Sequence, residues 1–90
     1  MELEDFFSSK IRMKILKILV QVGELNVTRI AHRLGISHST ISKHLKILED
    51  EGVLQHKMFG RIRLYRFNEH SPKAKVLQNL IESWEQNKGL

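Results

Sequence analysis

The sequence predicts a mainly helical fold that carries one small β-hairpin. Apolar residues recur at helical spacing in four segments of the 90-residue chain, and the spacing changes to that of strands over residues 53–67. Two of the helical segments are short, and a turn of only three residues, which includes Gly35, joins them. Two helices joined by such a turn and followed by a hairpin are typical of a winged helix-turn-helix domain.

Length, charge and cysteine content narrow the class of protein. Ninety residues are the usual size of one domain, so we expect residues 1–90 to form a single unit. The net charge of +5 and the pI near 9.8 favour an anionic partner, either nucleic acid or a membrane surface. No apolar run approaches the ~20 residues of a spanning helix, and the acidic start MELEDFF is unlike a signal peptide. We therefore expect a cytoplasmic protein, and the absence of cysteine excludes disulfides and thiolate zinc sites.

The first long helix is predicted to be central. It begins after Ser8 or Ser9 as N-cap and continues to Gly23, and it is apolar on more than one side because Leu16 and Val20 lie outside the main stripe. Its basic residues are interpreted as a solvated face or as secondary electrostatic support; they are Lys10, Arg12, Lys14 and Lys17. The apolar patch in residues 1–7 is too short to bury itself and needs a partner surface.

The helix-turn-helix is predicted over about 27–51. Asn26 is a favoured N-cap for the first helix, which Gly35 ends. Ser37 caps the second helix, which runs from about 38 to about 51, and Gly52 stands where a left-handed residue closes a helix.

The second of these helices has two chemically different faces. Its apolar stripe consists of Ile41, Leu45 and Leu48, with His44 among them as a structural histidine. The opposite side carries small hydroxyls and lysines, and the first two turns hold no acid, whereas Glu49, Asp50 and Glu51 end the helix. We interpret it as a DNA-recognition helix whose N-terminal part enters a groove. The predicted DNA contacts are His38, Ser39, Thr40, Ser42, Lys43 and Lys46.

The hairpin is predicted to be the basic wing, over about 53–67. Its strands are expected at 53–58 and 61–67, separated by Phe59 and Gly60. Arg61 and Arg63 alternate with apolar residues, but the alternation fails over residues 65–67, where faces are not assigned. Lys57, Arg61 and Arg63 are predicted to contact phosphates or the minor groove.

The N- and C-terminal helices are predicted to form a homodimer interface, in which the last helix, at about 72–88, packs against its symmetry mate together with the outer face of the first long helix. Ser71 and Pro72 are the N-cap and first residue of the last helix, and its apolar arc is wide for so small a domain. The alternative is packing within the chain. The predicted interface comprises Leu3, Phe6, Phe7, Val76, Leu77, Leu80, Ile81 and Trp84.

These motifs resemble those of the ArsR-type winged-helix repressors over nearly the whole chain. The segment SHSTISKHLKILEDEGVL matches the pattern S-x-S-x-x-S-x-H-L-x-x-L with its following Gly, and Gly60, Arg61 and Tyr65 match G-R-x-x-x-Y in the wing. The resemblance implies a homodimeric transcriptional repressor that binds double-stranded DNA at a pseudo-palindromic operator.

The chain departs from the metal-sensing members of that family. Asn26 and Thr28 occupy the positions of the family's metal-binding cysteines, and Arg29 replaces its acid. The last helix holds only Glu82 and Glu85 where other members carry Asp, His and Glu. The remaining histidines, His32, His56 and His70, show no ligand spacing. We therefore expect no metal and no cofactor.

Three classes of function stay open. The first is a sequence-specific regulator, the second is a non-specific DNA-coating or chromatin protein of the same fold, and the third is a winged-helix module that binds proteins. An enzyme is not expected, because no triad, phosphate loop or paired carboxylates can be argued. A membrane role is not expected either, since the last helix is not basic enough.

Overall fold

The computed structural model describes residues 1–87 and confirms a mainly helical fold with a two-stranded antiparallel hairpin. In chain order the elements are α1 (Leu3–Phe7), α2 (Lys10–Val22), α3 (Val27–Leu34), α4 (His38–Asp50), β1 (Leu54–Phe59), β2 (Ile62–Phe67) and α5 (Pro72–Gln86). The predicted end of the last helix at residue 88 lies outside the described residues.

Each of the four longer helices begins at a polar side chain that caps it, as the sequence indicates. Ser9 accepts a hydrogen bond from the Arg12 amide at 3.2 Å, which decides between the two candidate caps of α2. Asn26 accepts from the amide three residues later at 2.8 Å, and Ser71 does the same at 3.2 Å with Pro72 in the first turn. These bonds satisfy amides that have no carbonyl partner inside the helix.

Helix α2 is central, as predicted. It contacts α1, α3, α4, α5 and β2, and Ile15, Leu16 and Leu19 on it are almost fully buried. Leu16, outside the main apolar stripe, is buried because partners cover more than one side of the helix. The two helices of the helix-turn-helix therefore rest on a scaffold that surrounding elements hold on several sides.

Two side chains near the N-terminus are buried deeper than predicted. Phe6 is only 4% exposed and belongs to the core of the same chain, whereas Leu3 and Phe7 stay exposed, so only part of the apolar patch in residues 1–7 is covered within the chain. Arg12 is 6% exposed rather than solvated. Its guanidinium donates to the backbone oxygens of Asp5 at 2.7 Å and Phe6 at 3.3 Å. These late carbonyls of α1 need donors from outside the helix, which explains why a charged side chain is buried there.

The hairpin begins one residue later than expected and turns one residue further on. Phe59 pairs with Ile62, so the turn consists of Gly60 and Arg61 rather than of Phe59 and Gly60. Gly60 has a φ of +62°, and glycine at the first central position is the arrangement of a type II′ turn. Leu25 adds a one-residue bridge to Tyr65, which attaches the hairpin to the segment before α3.

The regular register resolves the face assignment that the sequence left open. Side chains alternate across a strand, so Arg63, Tyr65 and Phe67 share one face, and Ile62, Leu64 and Arg66 share the other. Tyr65 and Phe67 are buried whereas Arg63 is exposed, because the hairpin leaves the core between them. The apparent break in alternation therefore reflects a difference in burial between residues on one face: Arg63 is exposed, and Tyr65 and Phe67 are buried.

Candidate nucleic-acid interface

The start of α4 is built by hydroxyl groups. The Ser37 side chain accepts from the Thr40 amide at 3.3 Å and donates to the Thr40 hydroxyl at 2.8 Å. The Ser39 hydroxyl lies 3.4 Å from that of Ser37. The cap holds the first turn in place while leaving Ser39 exposed.

The end of α4 follows the predicted glycine-terminated pattern. Gly52 has a φ of +76°, its amide donates to the Glu49 oxygen at 3.0 Å, and the Val53 amide donates to the Leu48 oxygen at 3.0 Å. Leu48 and Val53 are fully buried, as the hydrophobic contact of a Schellman motif requires. The stop directs the chain from the helix straight into β1.

The two faces of α4 separate as the pattern predicts. Ile41, Leu45 and Leu48 are completely buried. Among the predicted DNA-contacting residues, His38, Ser39, Lys43 and Lys46 are exposed and Thr40 and Ser42 are partly buried. The face therefore presents imidazole, hydroxyl and ammonium groups, which can donate to phosphates and to base edges.

The positive charge of this face is less neutralised in the N-terminal half of α4 than in the C-terminal half. Lys46 lies 3.4 Å from the Asp50 carboxylate, one helical turn away, so part of its charge is neutralised within the helix. Lys43 has no acid within the first two turns of α4. The N-terminal half of the helix is therefore the more attractive half for a polyanion, and Lys43 is its main cation.

His44 connects α4 to the buried arginine of α2. Its Nδ1 lies 3.2 Å from an Arg12 terminal nitrogen and accepts a hydrogen bond from it when the imidazole is neutral. Burial lowers the pKa of His44, and the positive charges of Arg12 and Lys43 lower it further. Arg12 thus joins α1 to α4, a link between residues 32 positions apart that sequence patterns do not reveal.

A second polar connection joins α4 to the wing. His56 on β1 is hydrogen-bonded to Glu49 near the end of α4, and its ring lies 5.6 Å from that of Tyr65. Interaction with the Tyr65 hydroxyl raises the pKa of the Arg63 guanidinium. Sequence reasoning assigned no role to His56 and saw Glu49 only as a repulsive charge. Together these residues hold the base of the hairpin against the helix.

The predicted wing contacts are all exposed. Lys57 lies 3.8 Å from the Glu24 carboxylate, a weak pairing that leaves more than half of the side chain accessible. Arg61 occupies the turn itself, and Arg63 follows on β2. From His56 to Arg66 the hairpin carries no acid, so its outer part has a uniformly positive charge.

The residues of the predicted dimer surface differ in burial: some lie in the core of the chain and the others are exposed. Phe6 and Leu77 are 4% and 7% exposed and pack inside the chain, so they offer little area to a partner; this part of the prediction is corrected. Ile81 is partly buried against the core. The other five residues are exposed, Trp84 by 74%; they are Leu3, Phe7, Val76, Leu80 and Trp84.

These exposed side chains border two adjoining apolar grooves between α1, α2 and α5. The grooves have volumes of about 490 and 480 Å³ and share Phe7, Leu77 and Leu80 in their walls. An ion pair between Lys17 and Glu85, 3.0 Å apart, lies at the edge of one of them. So large a contiguous apolar surface is typical of an interaction site.

Within residues 1–87, no three His, Asp or Glu side chains are grouped so that they could hold a metal ion. Asn26, at the position where the family carries a cysteine ligand, uses its side-chain oxygen to cap α3. None of the helices in the same range has the length and apolar character needed to cross a membrane.

Fold and surface together define a winged helix-turn-helix protein, with α3 and α4 as the helix-turn-helix and β1 and β2 as the wing. The family model described as "Bacterial regulatory protein, arsR family" matches residues 9–56, more than half of the chain. The chain belongs to this family of transcriptional regulators.

Individual relatives agree with this assignment. The arsenical resistance operon repressor of Escherichia coli is 32% identical over 85 residues, which cover 92% of this chain and 70% of the relative. The transcriptional repressor PagR of Bacillus anthracis is 30% identical, with a TM-score of 0.72 and coverage of 86% and 85% of the two chains. The homodimeric winged helix-turn-helix DNA-binding domain of Mb0332 from Mycobacterium bovis is 26% identical, with a TM-score of 0.74 and coverage of 91% and 73%.

Proposed function

We propose that the protein is a homodimeric repressor that binds a pseudo-palindromic operator in double-stranded DNA. In this proposal α4 enters the major groove with its N-terminal half, and the wing contacts flanking phosphates or the minor groove. The protein acts in the cytoplasm, without catalysis and without a metal or cofactor.

The observation that carries the proposal is the asymmetry of α4. One side is anchored by three fully buried aliphatic residues, and the other presents exposed polar and cationic groups with no acid in its first two turns. A helix anchored in this way keeps its polar face at a constant orientation, as sequence readout requires. The proposed base contacts are the hydroxyls of Ser39, Thr40 and Ser42 together with His38, while Lys43 and Lys46 contact phosphates.

Dimerisation follows from the apolar surface of α1 and α5 and from the geometry of operators. A single α4 spans only one major groove, and a two-fold pair reads two half-sites about one helical turn, ~34 Å, apart. The homodimeric state of the Mb0332 domain supports the same assembly here. Leu3, Phe7, Val76, Leu80, Ile81 and Trp84 are proposed to form the contact.

The decisive experiment is selection from a random duplex library, followed by competition gel shifts with the recovered sequence. A specific regulator yields a palindromic consensus and prefers it to random DNA by ~10³ or more. A chromatin-coating protein yields no consensus and no preference, and a protein-interaction module does not bind DNA even at low salt. Either of the last two results would overturn the proposal.

The salt dependence of binding tests the contact set. Lys46 is left out of the count because Asp50 neutralises part of its charge. If each protomer then uses Lys43, Lys57, Arg61 and Arg63, a dimer neutralises about eight phosphates and log K falls with log salt at a slope of about −7. Lys43→Ala removes two of these contacts per dimer and lowers the slope by about 2. Lys75→Ala on α5, another exposed lysine, is the matched control and leaves the slope unchanged. A slope near −2 for the unchanged protein would refute the contact set.

A further inference from the structure

The outer end of the wing carries a cluster of exposed apolar side chains that the proposed phosphate contacts do not use. Phe59 is 70% exposed, Met58 56% and Ile62 46%. Phe59 and Ile62 are the last cross-strand pair before the turn and lie on the same face. The buried residues of both strands lie near the base of the hairpin and its outer end is exposed, so these side chains extend beyond the core.

The surroundings of the cluster are cationic. Arg61 lies in the turn next to the Phe59–Ile62 pair, Arg63 follows on β2, and Lys57 precedes on β1. Two wing ends of this charge repel each other, so the cluster is a poor contact for a second copy of the chain. The positive charge around the cluster is complementary to a polyanion. The apolar side chains require that this polyanion also offers apolar surface.

We propose that Phe59 is a minor-groove wedge: its ring enters the minor groove beside each half-site and partly unstacks one base step, which bends the operator. This inference rests on the DNA-binding function proposed above and adds a residue that determines shape-dependent specificity. Proteins that bind the minor groove combine Arg or Lys with inserted Phe, Leu, Ile or Met side chains, and such wedges kink the duplex by roughly 20–90°.

The dimensions of the hairpin support the same conclusion. Its two strands are ~4.8 Å apart before side chains are counted, whereas the minor groove of regular B-DNA is only ~6 Å wide. The wing end therefore needs a widened groove, and a kink at an unstacked step provides one. Arg61 and Arg63 then reach the phosphates on either side. Steps that unstack easily, such as TA and CA/TG, are favoured at the flanks without any hydrogen bond to a base.

The test measures DNA bending. The probe is a duplex of about 40 base pairs recovered by selection from the random library, long enough for two half-sites, with a donor and an acceptor dye at its ends. The unchanged protein is expected to bend it, and Phe59→Ala to lose at least half of the bend and to bind about tenfold more weakly. Phe59→Leu, which keeps an apolar wedge, retains most of the bend.

Further variants separate the effect of the inserted ring on bending from the effect of the positive charges of the wing. Phe59→Ala leaves the salt slope unchanged because no charge is removed, whereas Arg61→Ala lowers the slope by about 2 for a dimer and keeps the bend. Gln55→Ala, on the same strand and face but near the base of the hairpin, is the matched control and changes neither quantity. Since Phe59 is exposed, its replacement leaves folding intact.

Three results would overturn the inference, and they are distinguishable. If Phe59→Ala bends and binds the probe as the unchanged protein does, the wedge is refuted while the DNA-binding function stands. If Phe59→Ala alters the sedimentation of the free protein instead of the bend, the cluster is a protein contact. Failure of the unchanged protein to bind any duplex refutes the proposed function itself, and the wedge with it.

Discussion

At the residue scale, Arg12 and His44 form a polar connection between α1, α2 and α4. Arg12 is buried, bonds two carbonyls of α1 and donates to the His44 ring. A buried guanidinium is tolerable only when its donors are paired, so losing an acceptor destabilises this corner of the fold. Protonation of His44 removes the hydrogen-bond acceptor of Arg12 on its ring. It also places a second positive charge beside the arginine.

The first prediction concerns the pH dependence of stability. Burial and the positive charge of Arg12 lower the pKa of His44 from its ordinary 6.5 in the folded state. The unfolded chain therefore takes up this proton first, and the contribution of His44 to stability is complete above about pH 6.5 and is lost as pH falls towards the lowered folded-state pKa. His44→Gln, which keeps an acceptor but cannot be protonated, is expected to lose less stability between about pH 7.5 and 5.5.

Urea unfolding of both proteins at several pH values measures this difference. Groups other than residue 44 titrate in both chains, so their effects cancel in the comparison. Identical pH profiles for the two proteins would show that the Arg12–His44 bond does not carry the effect.

At the element scale, α4 combines a strong start, a strong stop and a buried stripe. The Ser37 cap and the Gly52 stop are both local signals, and each satisfies backbone groups that the helix itself leaves unpaired. The link from Glu49 to His56 then attaches the wing to the end of the helix. The position of the wing relative to α4 is therefore maintained by side chains from both elements as well as by the three-residue connection between them.

The second prediction separates the structural serine from the proposed contact serine. Ser37→Ala removes the cap of α4 and is expected to lower the free energy of unfolding by about 1 kcal/mol. Ser39→Ala, two residues away and exposed, leaves stability within about 0.5 kcal/mol but weakens binding to the selected operator. Chemical denaturation and gel shifts on both variants are the measurements. Equal losses of stability would contradict the division of roles, as would unchanged operator binding by Ser39→Ala.

At the scale of the whole molecule, α1 and α5 meet on one apolar surface. Residues of α1 and α5 border the same pair of grooves, with Leu3, Phe7, Val76, Leu80 and Trp84 exposed around them. Phe6 and Leu77 belong to the floor of this surface and hold it to the core. A partner that covers the rim would bury a large apolar area, which is the main favourable term in association.

The third prediction tests the dimer through this surface. Leu80→Lys places a charge among the apolar side chains and is expected to produce a 10.6 kDa monomer at micromolar concentration, with at least tenfold weaker operator binding. Val22→Lys inserts the same charge at another exposed apolar position, at the end of α2, and serves as control. Sedimentation velocity distinguishes the species. A monomeric unchanged protein would refute dimerisation, and so would a dimer that persists in Leu80→Lys.

The order and type of the main elements, and the polar face of α4, could be predicted from the sequence alone. Helix ends depend on neighbours within a few residues, so Ser37, Gly52 and Ser71 were sufficient to predict them within one or two positions. The same holds for the buried stripe, because helical periodicity is a local property. The short α1 was not predicted, since five residues carry too little periodic signal.

Only the tertiary structure decided which side chains meet across distant parts of the chain. It buried Arg12 beneath α1 and bonded it to His44, attached the wing through Glu49 and His56, and withdrew Phe6 and Leu77 into the core. It also showed that the outer end of the hairpin leaves the core with Phe59 exposed. Burial depends on which elements pack over a residue. Periodicity in the sequence shows which residues share a face, but it does not show what packs against that face.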